Sequence, residues 1–274
     1  MIEKLVIIFF WLAFTTYAAS FALYAYLFVN QKVILARLAT ASLLLGFLLN
    51  TAVIAGRWYS VGYLPIEGAF ESYLLLSWFL ALLFLIIERS ESMRIFGVFV
   101  TPLIVLMMGI SWYRYESTER LSPILRSAWI TMHVTVVNVA YASFLLSAGA
   151  GIFYLLQERQ LKRRSVNLLF RRLPSLQSLE DFIVKAVGVG QIFLTMTIAT
   201  GIIKAVKDVP DWWADGLVIS TTATWVVYSM LLGSHFVLEW RGRRLAIFSL
   251  VGFAVILFLN FVARPYLTSF HRFA

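Results

Sequence analysis

The 274-residue chain is too apolar for a soluble domain, because 61% of its residues are hydrophobic, 16% are aromatic and only 14% are charged. Its net charge of +9 accompanies apolar stretches of about 20 residues, the length that a helix needs to cross a bilayer. The sequence contains no cysteine, so this chain cannot relay thiol–disulfide electrons and has neither a thiolate metal site nor a C-x-x-C-H motif.

Taken in chain order, the apolar stretches predict about eight membrane-spanning helices, and the alternating strands of a barrel are absent. The predicted fold class is therefore an all-α polytopic membrane bundle. The first stretch is longer than a signal-peptide core, so we expect a retained helix. Short loops favour one integral-membrane domain over residues 1–274, without an internal repeat. The predicted spans lie near 5–28, 36–56, 70–88, 95–112, 128–156, 183–204, 216–238 and 245–264.

The distribution of Lys and Arg predicts the orientation of these spans. Alternate loops carry 14 of the 23 basic residues and six of the 14 acidic residues, and such basic loops face the cytoplasm. We therefore expect a cytoplasmic loop at 158–182, an external Trp-rich loop at 204–216 and both termini outside, in a multi-pass protein of the inner (cytoplasmic) membrane. This asymmetry explains the net charge without a nucleic-acid partner, and the basic 157–172 stretch suits anionic lipid.

Two of the three histidines fall on the predicted outer face. His133 lies one turn into the fifth span, where an ionisable side chain is costly and usually functional. His271 follows the last span in an apolar tail. The alternatives are an imidazole bonded to a neighbouring helix for His133 and a frayed terminus for His271. His235 lies at the cytoplasmic end of its helix, and its position favours an interfacial histidine.

The external loop between the sixth and seventh spans contains Trp212, Trp213 and Asp215. Tryptophans are ordinary anchors at a membrane interface, and Asp215 precedes an apolar run, so it is a candidate N-cap for the next helix. Both roles are compatible with a functional aromatic platform. Two outer imidazoles beside such a platform suit a flat, metal-centred macrocycle such as haem, whose iron accepts axial histidines.

Small and acidic residues elsewhere are expected to be structural. Small residues at four-residue spacing permit close approach of helices in a membrane, and Glu67 and Glu71 are expected to be polar loop residues. No catalytic motif emerges, so we expect a protein that is not an enzyme. The predicted packing residues are Ser143, Ser147 and Gly151 on the fifth span and Gly188, Gly190 and Gly201 on the sixth.

Several stretches together resemble the CcsA-type membrane proteins of cytochrome c assembly, including their short HemX-like branch. The resemblance covers most of the chain. In that family a tryptophan-rich loop precedes a W-x-x-Y helix, although Ala214 stands here where its second tryptophan is expected. The matching stretches are Pro65 to Ser72, Trp129 to His133 with Tyr141, Gly188 through Leu194 to Thr200 and Gly201, Trp212 with Asp215, Trp225-Val-Val-Tyr228, Trp240 to Arg244, and His271.

The resemblance implies that His133 and His271 are the axial ligands of one haem b, with Trp212, Trp213 and Asp215 beside the macrocycle. It further implies delivery of haem to apocytochrome c at the outer face, together with a separate membrane partner subunit. The alternative is a HemX-like regulator of haem biosynthesis that acts through its cytoplasmic face. A transporter ranks last, because the spans are expected to carry almost no buried charge.

Overall fold

The computed structural model describes residues 2–30, 32–62, 68–89, 93–115, 128–163, 173–208 and 212–259. Within these ranges the regular secondary structure is helical and includes no strand, so the prediction of an all-α fold is confirmed. The described helices are α1 (Ile2–Val29), α2 (Val33–Val61), α3 (Ala69–Ile87), α4 (Gly97–Tyr113), α5 (Ala128–Lys162), α6 (Leu176–Asp208), α7 (Gly216–Phe236) and α8 (Arg243–Phe258), with short 3₁₀ turns at Arg94–Phe96 and Trp212–Ala214.

Seven of the described helices, α1 to α7, are long and apolar enough to cross a membrane. This confirms a multi-pass membrane protein. The eighth predicted span corresponds to α8, whose 16 described residues stop before the end of that span. Helix α6 is longer than the predicted 183–204 span, so the first turns of α6 lie inside the predicted 158–182 loop. Helix α6 also continues to Asp208, so residues 204–208 of the predicted 204–216 loop are helical.

The helices pack as two compact units. The first unit contains residues 1–131 and 171–174, and the second contains residues 132–170 and 175–274. Helices α1 to α4 therefore belong to the first unit, and α6 to α8 with nearly all of α5 belong to the second. The expectation of one domain over residues 1–274 stays a prediction.

Polar side chains join neighbouring helices of the first unit. In lipid, apolar contact alone gives little driving force for helix association, so close packing and interhelical hydrogen bonds matter more than in water. Asn50 on α2 donates from Nδ2 to Ser77 Oγ on α3 at 3.0 Å. One residue further along both helices, Trp78 donates from Nε1 to Thr51 Oγ1 at 2.8 Å. These two hydrogen bonds fix the position of α2 relative to α3 along the helix axes.

A buried ion pair also joins α2 to α3. Arg57 and Glu71 form it with side chains that are 1% and 4% exposed. The guanidinium carbon of Arg57 lies 5.0 Å from the centroid of the Phe70 ring and 5.7 Å from that of Tyr115. The Tyr115 hydroxyl donates to Glu3 Oε1 at 3.0 Å, which includes the start of α1 in this cluster.

Two expectations are corrected by this ion pair. Glu71 is a buried residue in the first turn of α3 and is not a polar loop residue; Glu67 lies outside the described residues. The expectation that the spans carry almost no buried charge is also wrong, because Arg57 lies within α2. The charge is tolerated there because its carboxylate partner and two aromatic faces surround it.

In the second unit, α5 packs against α8 along the predicted stripe of small residues. Ser147 Oγ on α5 and Ser249 Oγ on α8 are 2.7 Å apart. One turn later, a Cβ atom added to Gly151 would lie 2.9 Å from the carbonyl oxygen of Ala246. The absence of a side chain at Gly151 therefore allows α8 to approach, and the predicted packing role of this stripe is confirmed.

A stacked aromatic pair links α5 to α7. The rings of Phe144 and Tyr228 lie 3.8 Å apart and nearly parallel. The backbone at Gly190 on α6 lies against the Phe144 ring. The backbone at Gly252 on α8 lies against the Tyr228 ring. Gly190 thus has the predicted packing role. The same prediction is wrong for Gly188, where an added Cβ atom would meet nothing within 4 Å.

Candidate functional site

His133 is held at the first turns of α5 by a contact with α6. Its Nδ1 atom lies 2.9 Å from Oγ1 of Thr200, and its side chain is half-buried. The two helices run antiparallel, so an early residue of α5 meets a late residue of α6. The imidazole predicted from the sequence therefore lies against a neighbouring helix.

The hydroxyl of Thr200 is also bonded to its own helix. Its Oγ1 donates towards the carbonyl oxygens of Met196 at 2.8 Å and Thr197 at 3.0 Å, a back-bonding arrangement common for threonine in helices. The next residue, Gly201, lies beside the imidazole, since an added Cβ atom would be 3.2 Å from His133 Cε1. The role of Gly201 is therefore to leave space for the His133 ring, and not only to pack helices.

The tryptophan turn lies at the same end of the second unit as His133. Thr200 is eight residues before the end of α6 at Asp208, which is about 12 Å along a helix that rises 1.5 Å per residue. A short connection then leads to the 3₁₀ turn Trp212–Ala214 and to the start of α7 at Gly216. The fold thus brings two predicted elements, His133 and the tryptophan turn, to one end of the unit.

Asp215 is the N-cap of α7. Its Oδ1 accepts a hydrogen bond from the backbone N–H of Leu217 at 2.8 Å, and its backbone is extended, as expected for a cap. Its own N–H donates to the carbonyl oxygen of Trp212 at 3.2 Å, so the cap also fixes the tryptophan turn. Asp215 is buried, Trp212 is half-buried and the Trp213 side chain is 65% exposed. The predicted capping role of Asp215 is confirmed.

His235 lies at the opposite end of α7 from this turn. His235 comes 20 residues after Asp215, which corresponds to about 30 Å of helix. His235 donates from Nδ1 to the backbone carbonyl of Trp240 at 3.0 Å. Arg244 places its guanidinium 5.4 Å from the centroid of the same tryptophan ring. His235 is therefore a helix-end residue that braces the turn into α8, as the sequence predicts.

His271 lies outside the described residues, so its predicted part in the site stays a prediction. Within the ranges that the structure describes, no group of three or more His, Cys, Asp or Glu residues could hold a metal ion. His133 is the described imidazole that lies at the same end as the tryptophan turn.

Thr200 was not predicted from the sequence to be a site residue. It was singled out, together with Gly201, only as the end of a stretch that resembles the CcsA-type family. One signal was available: Thr195, Thr197 and Thr200 lie in the apolar stretch of α6, and a hydroxyl within a span usually bonds to its own helix or to a neighbour. Which of the three faces His133 depends on the packing of α5 against α6.

Comparisons with known proteins identify the family to which the chain belongs. The profile of the family described as Cytochrome C assembly protein matches residues 66–271. The chain is 29% identical over 257 residues to "Cytochrome c biogenesis protein CcsA" of Prochlorococcus marinus (strain MIT 9303), covering 83% of this chain and 79% of that protein. The CcsA protein of Pyropia yezoensis is 25% identical over 260 residues, covering 80% of this chain and 82% of that one.

Among solved structures, the "Cytochrome c Heme Lyase CcmF" superimposes with a TM-score of 0.71 at 14% identity. The match covers 98% of this chain and 47% of that protein, so the chain spans about half its length. At that identity the likeness concerns the fold. The family profile covers three-quarters of the chain and extends from before His133 to His271, and the chain therefore belongs to the CcsA-type cytochrome c assembly proteins.

Proposed function

We propose that this protein binds haem at the outer face of the membrane during cytochrome c biogenesis and presents it to apocytochrome c. The observation that carries the proposal is the position of His133 at the same end of the second unit as the tryptophan turn, in a chain of the cytochrome c assembly family. An imidazole is a common axial ligand of haem iron. The exposed indole of Trp213 offers an apolar face for a macrocycle.

The donor chemistry at this end of the unit fits haem b. His133 would supply one axial nitrogen and His271 the second, while Trp212 and Trp213 would lie against the ring. Asp215 would hold the turn in place through its cap on α7. A bound haem supplies the vinyl groups to which apocytochrome thiols add, whereas the protein supplies binding and orientation. That this chain is not itself an enzyme stays a prediction.

Delivery to apocytochrome c requires further partners in this proposal. The chain carries no cysteine, so reduction of apocytochrome thiols must come from another protein. We propose a separate membrane subunit that brings the apocytochrome to the tryptophan turn. The inner (cytoplasmic) membrane is the expected location, with the turn on its outer side.

Absorption spectra of the purified protein, recorded with and without dithionite, test the proposal. We expect His133→Gly and His271→Gly to shift the Soret band and to lose haem on purification, because each change opens an axial position. Added imidazole should partly restore both spectra by filling the vacated position. His235→Ala is the matched control and should leave the spectrum unchanged, since His235 is at the other end of α7.

A wild-type spectrum in both outer histidine variants would contradict the haem-ligand assignment. Function should then be assayed after shortening the basic 157–172 segment. Loss of function there, with the outer histidine variants active, would favour the HemX-like role in control of haem biosynthesis.

A further inference from the structure

We infer that Thr200 is a positioning residue for the haem ligand His133: its hydroxyl oxygen accepts a hydrogen bond from Nδ1–H, which keeps the proton on Nδ1 and the lone pair of the imidazole on Nε2. The inference deepens the proposed function and rests on it. It adds a specific hydrogen-bond acceptor to the site and predicts which ring nitrogen binds iron.

The Thr200 hydroxyl has a single proton to donate. Two backbone carbonyl oxygens of α6, those of Met196 and Thr197, lie within 3.0 Å of Oγ1. A carbonyl oxygen can only accept, so these two contacts both use the hydroxyl proton. The oxygen then turns a lone pair towards His133 Nδ1, which is 2.9 Å away.

An imidazole that donates from Nδ1 in its neutral form has its lone pair on Nε2. This is the form that binds a metal through Nε2, and metal-binding histidines usually donate their other N–H to a fixed acceptor. In most such sites the acceptor is a carboxylate, a backbone carbonyl or a water molecule. Here it is a neutral hydroxyl, which polarises the imidazole less than a carboxylate does.

A weakly polarised imidazole suits a protein that must release its cargo. A carboxylate acceptor increases the basicity of the ligand and strengthens its bond to the metal. With a neutral hydroxyl, the ring is oriented while the bond to iron stays weaker. Gly201 leaves room for the ring, because an added Cβ atom would approach Cε1 to 3.2 Å. Thr200 thus orients His133 without a charged group.

Thr200→Val keeps the shape of the side chain and removes the acceptor, and Thr200→Ser keeps the acceptor. Loss of such an outer partner typically lowers metal affinity about 10–100-fold. We expect Thr200→Val to transfer bound haem to excess apomyoglobin at least ~10-fold faster than the wild type, and Thr200→Ser to match the wild type. Thr197→Val is the control, because that hydroxyl bonds to the carbonyl of Phe193.

A second experiment detects the hydrogen bond itself. In His133→Gly, both imidazole and 1-methylimidazole can bind iron, but only imidazole keeps an N–H to donate to Thr200. We expect imidazole to restore the Soret band at a concentration about 10-fold lower than 1-methylimidazole. In His133→Gly/Thr200→Val, the two compounds should restore the Soret band at concentrations that differ only by the steric effect of the methyl group.

An equal ratio of the two concentrations in both backgrounds would overturn the inference. It would mean that Thr200 does not accept a hydrogen bond from the N–H of the ring. A wild-type haem spectrum in His133→Gly would overturn the proposed function and this inference together. Haem loss in His133→Gly with wild-type transfer kinetics in Thr200→Val would leave the proposed function intact and overturn the role of Thr200 alone.

Discussion

At the scale of single residues, Gly201 tests how tightly the His133 ring is held. An alanine Cβ atom there would lie 3.2 Å from His133 Cε1, closer than ordinary contact, whereas at Gly188 it would meet nothing within 4 Å. Both substitutions lie in α6 and gain about 0.5–1 kcal/mol of helix propensity. We therefore expect Gly201→Ala to speed haem transfer to apomyoglobin, and Gly188→Ala to leave it unchanged. Equal transfer rates in the two variants would mean that the ring has room to move.

Substitution of Trp212 can distinguish an anchoring role of this residue at the membrane interface from a role in binding haem. Trp212 lies in the turn fixed by the Asp215 cap, whereas Trp58 is an exposed residue near the end of α2. Both indoles suit the membrane interface. We expect Trp212→Ala to lower the haem content per protein by more than Trp58→Ala, measured by the pyridine haemochrome absorbance. If both variants keep the same haem content, Trp212 is an interface anchor.

Sequence alone predicted the residues of the site whose chemistry is unusual for their surroundings. A histidine inside an apolar span and an aspartate directly before one are unusual, so His133 and Asp215 stood out. Thr200 did not, because a threonine in a span is common and its importance comes from the side chain opposite. That pairing is set by how α5 and α6 are aligned, which local patterns do not encode.

At the scale of helices, the Arg57–Glu71 pair is expected to stabilise the packing of α2 against α3. Removing one member of a buried ion pair leaves an uncompensated charge and typically costs about 3–5 kcal/mol, whereas replacing both members by apolar residues is often nearly neutral. We expect Arg57→Met to lower the melting temperature in detergent strongly. Arg57→Met/Glu71→Leu should recover most of that loss.

The exposed pair of Lys162 and Glu158 is the matched control for this comparison. Lys162 is 63% exposed, and an exposed pair contributes only about 0–1 kcal/mol. Lys162→Met should therefore change the melting temperature little. A double variant at Arg57 and Glu71 as unstable as the single one would show that the ring contacts of Arg57, and not the charge pairing, stabilise the unit.

Glu88, just beyond the end of α3, makes the first unit sensitive to pH. Tyr24 donates to its Oε2, Thr40 donates to the same oxygen at 3.2 Å, and Arg94 is nearby. Burial nevertheless raises the pKa of the Glu88 carboxyl above its ordinary value, because desolvation outweighs the opposing effects of those three groups. Stability from this group is therefore fully present below the ordinary pKa of about 4.3 and is lost as the pH rises through the raised pKa.

We expect the melting temperature of the wild type to fall as the pH rises through the raised pKa of Glu88. The Glu88→Gln variant should lose this part of the pH dependence. The glutamine keeps an oxygen that accepts from Tyr24 and Thr40 but carries no charge. Asp181→Asn, at an exposed acid, should melt in parallel with the wild type. Parallel curves for Glu88→Gln and the wild type would contradict the assignment.

The existence of the helices was easier to predict than their ends. A bilayer demands about 20 apolar residues per span, so the hydropathy pattern located the helices correctly. Helix α6 nevertheless begins seven residues before its predicted start and ends four residues after its predicted end. Both ends of α6 contain charged residues, which a hydropathy pattern assigns to loops. The backbone hydrogen bonds of the helix nevertheless continue through these residues. The polar bonds from Asn50 and Trp78 could not be predicted because they depend on the alignment of α2 with α3.

At the scale of the whole molecule, the family match and the packing units divide the chain differently. The matched region begins at residue 66, so α1 and α2 precede it. Yet Arg57 on α2 pairs with Glu71 inside the matched region, and Tyr115, also inside it, bonds to Glu3 on α1. The first two helices are therefore joined to the family region by a buried ion pair and a partly buried hydrogen bond, and they belong to the same packed unit as α3 and α4.

The orientation of the chain is the last prediction, and the absence of native cysteines makes it directly testable. Loops rich in Lys and Arg stay in the cytoplasm, so a cysteine introduced as Ser165→Cys should be protected in intact spheroplasts, and one introduced as Val209→Cys should be labelled. The probe is a membrane-impermeant maleimide, and lysed spheroplasts are the control in which both positions should react. Labelling at 165 with none at 209 would reverse the orientation and place His133 and the tryptophan turn on the cytoplasmic side. Delivery of haem to an external apocytochrome from this end of the unit would then be impossible, so the same labelling pattern also tests the proposed function.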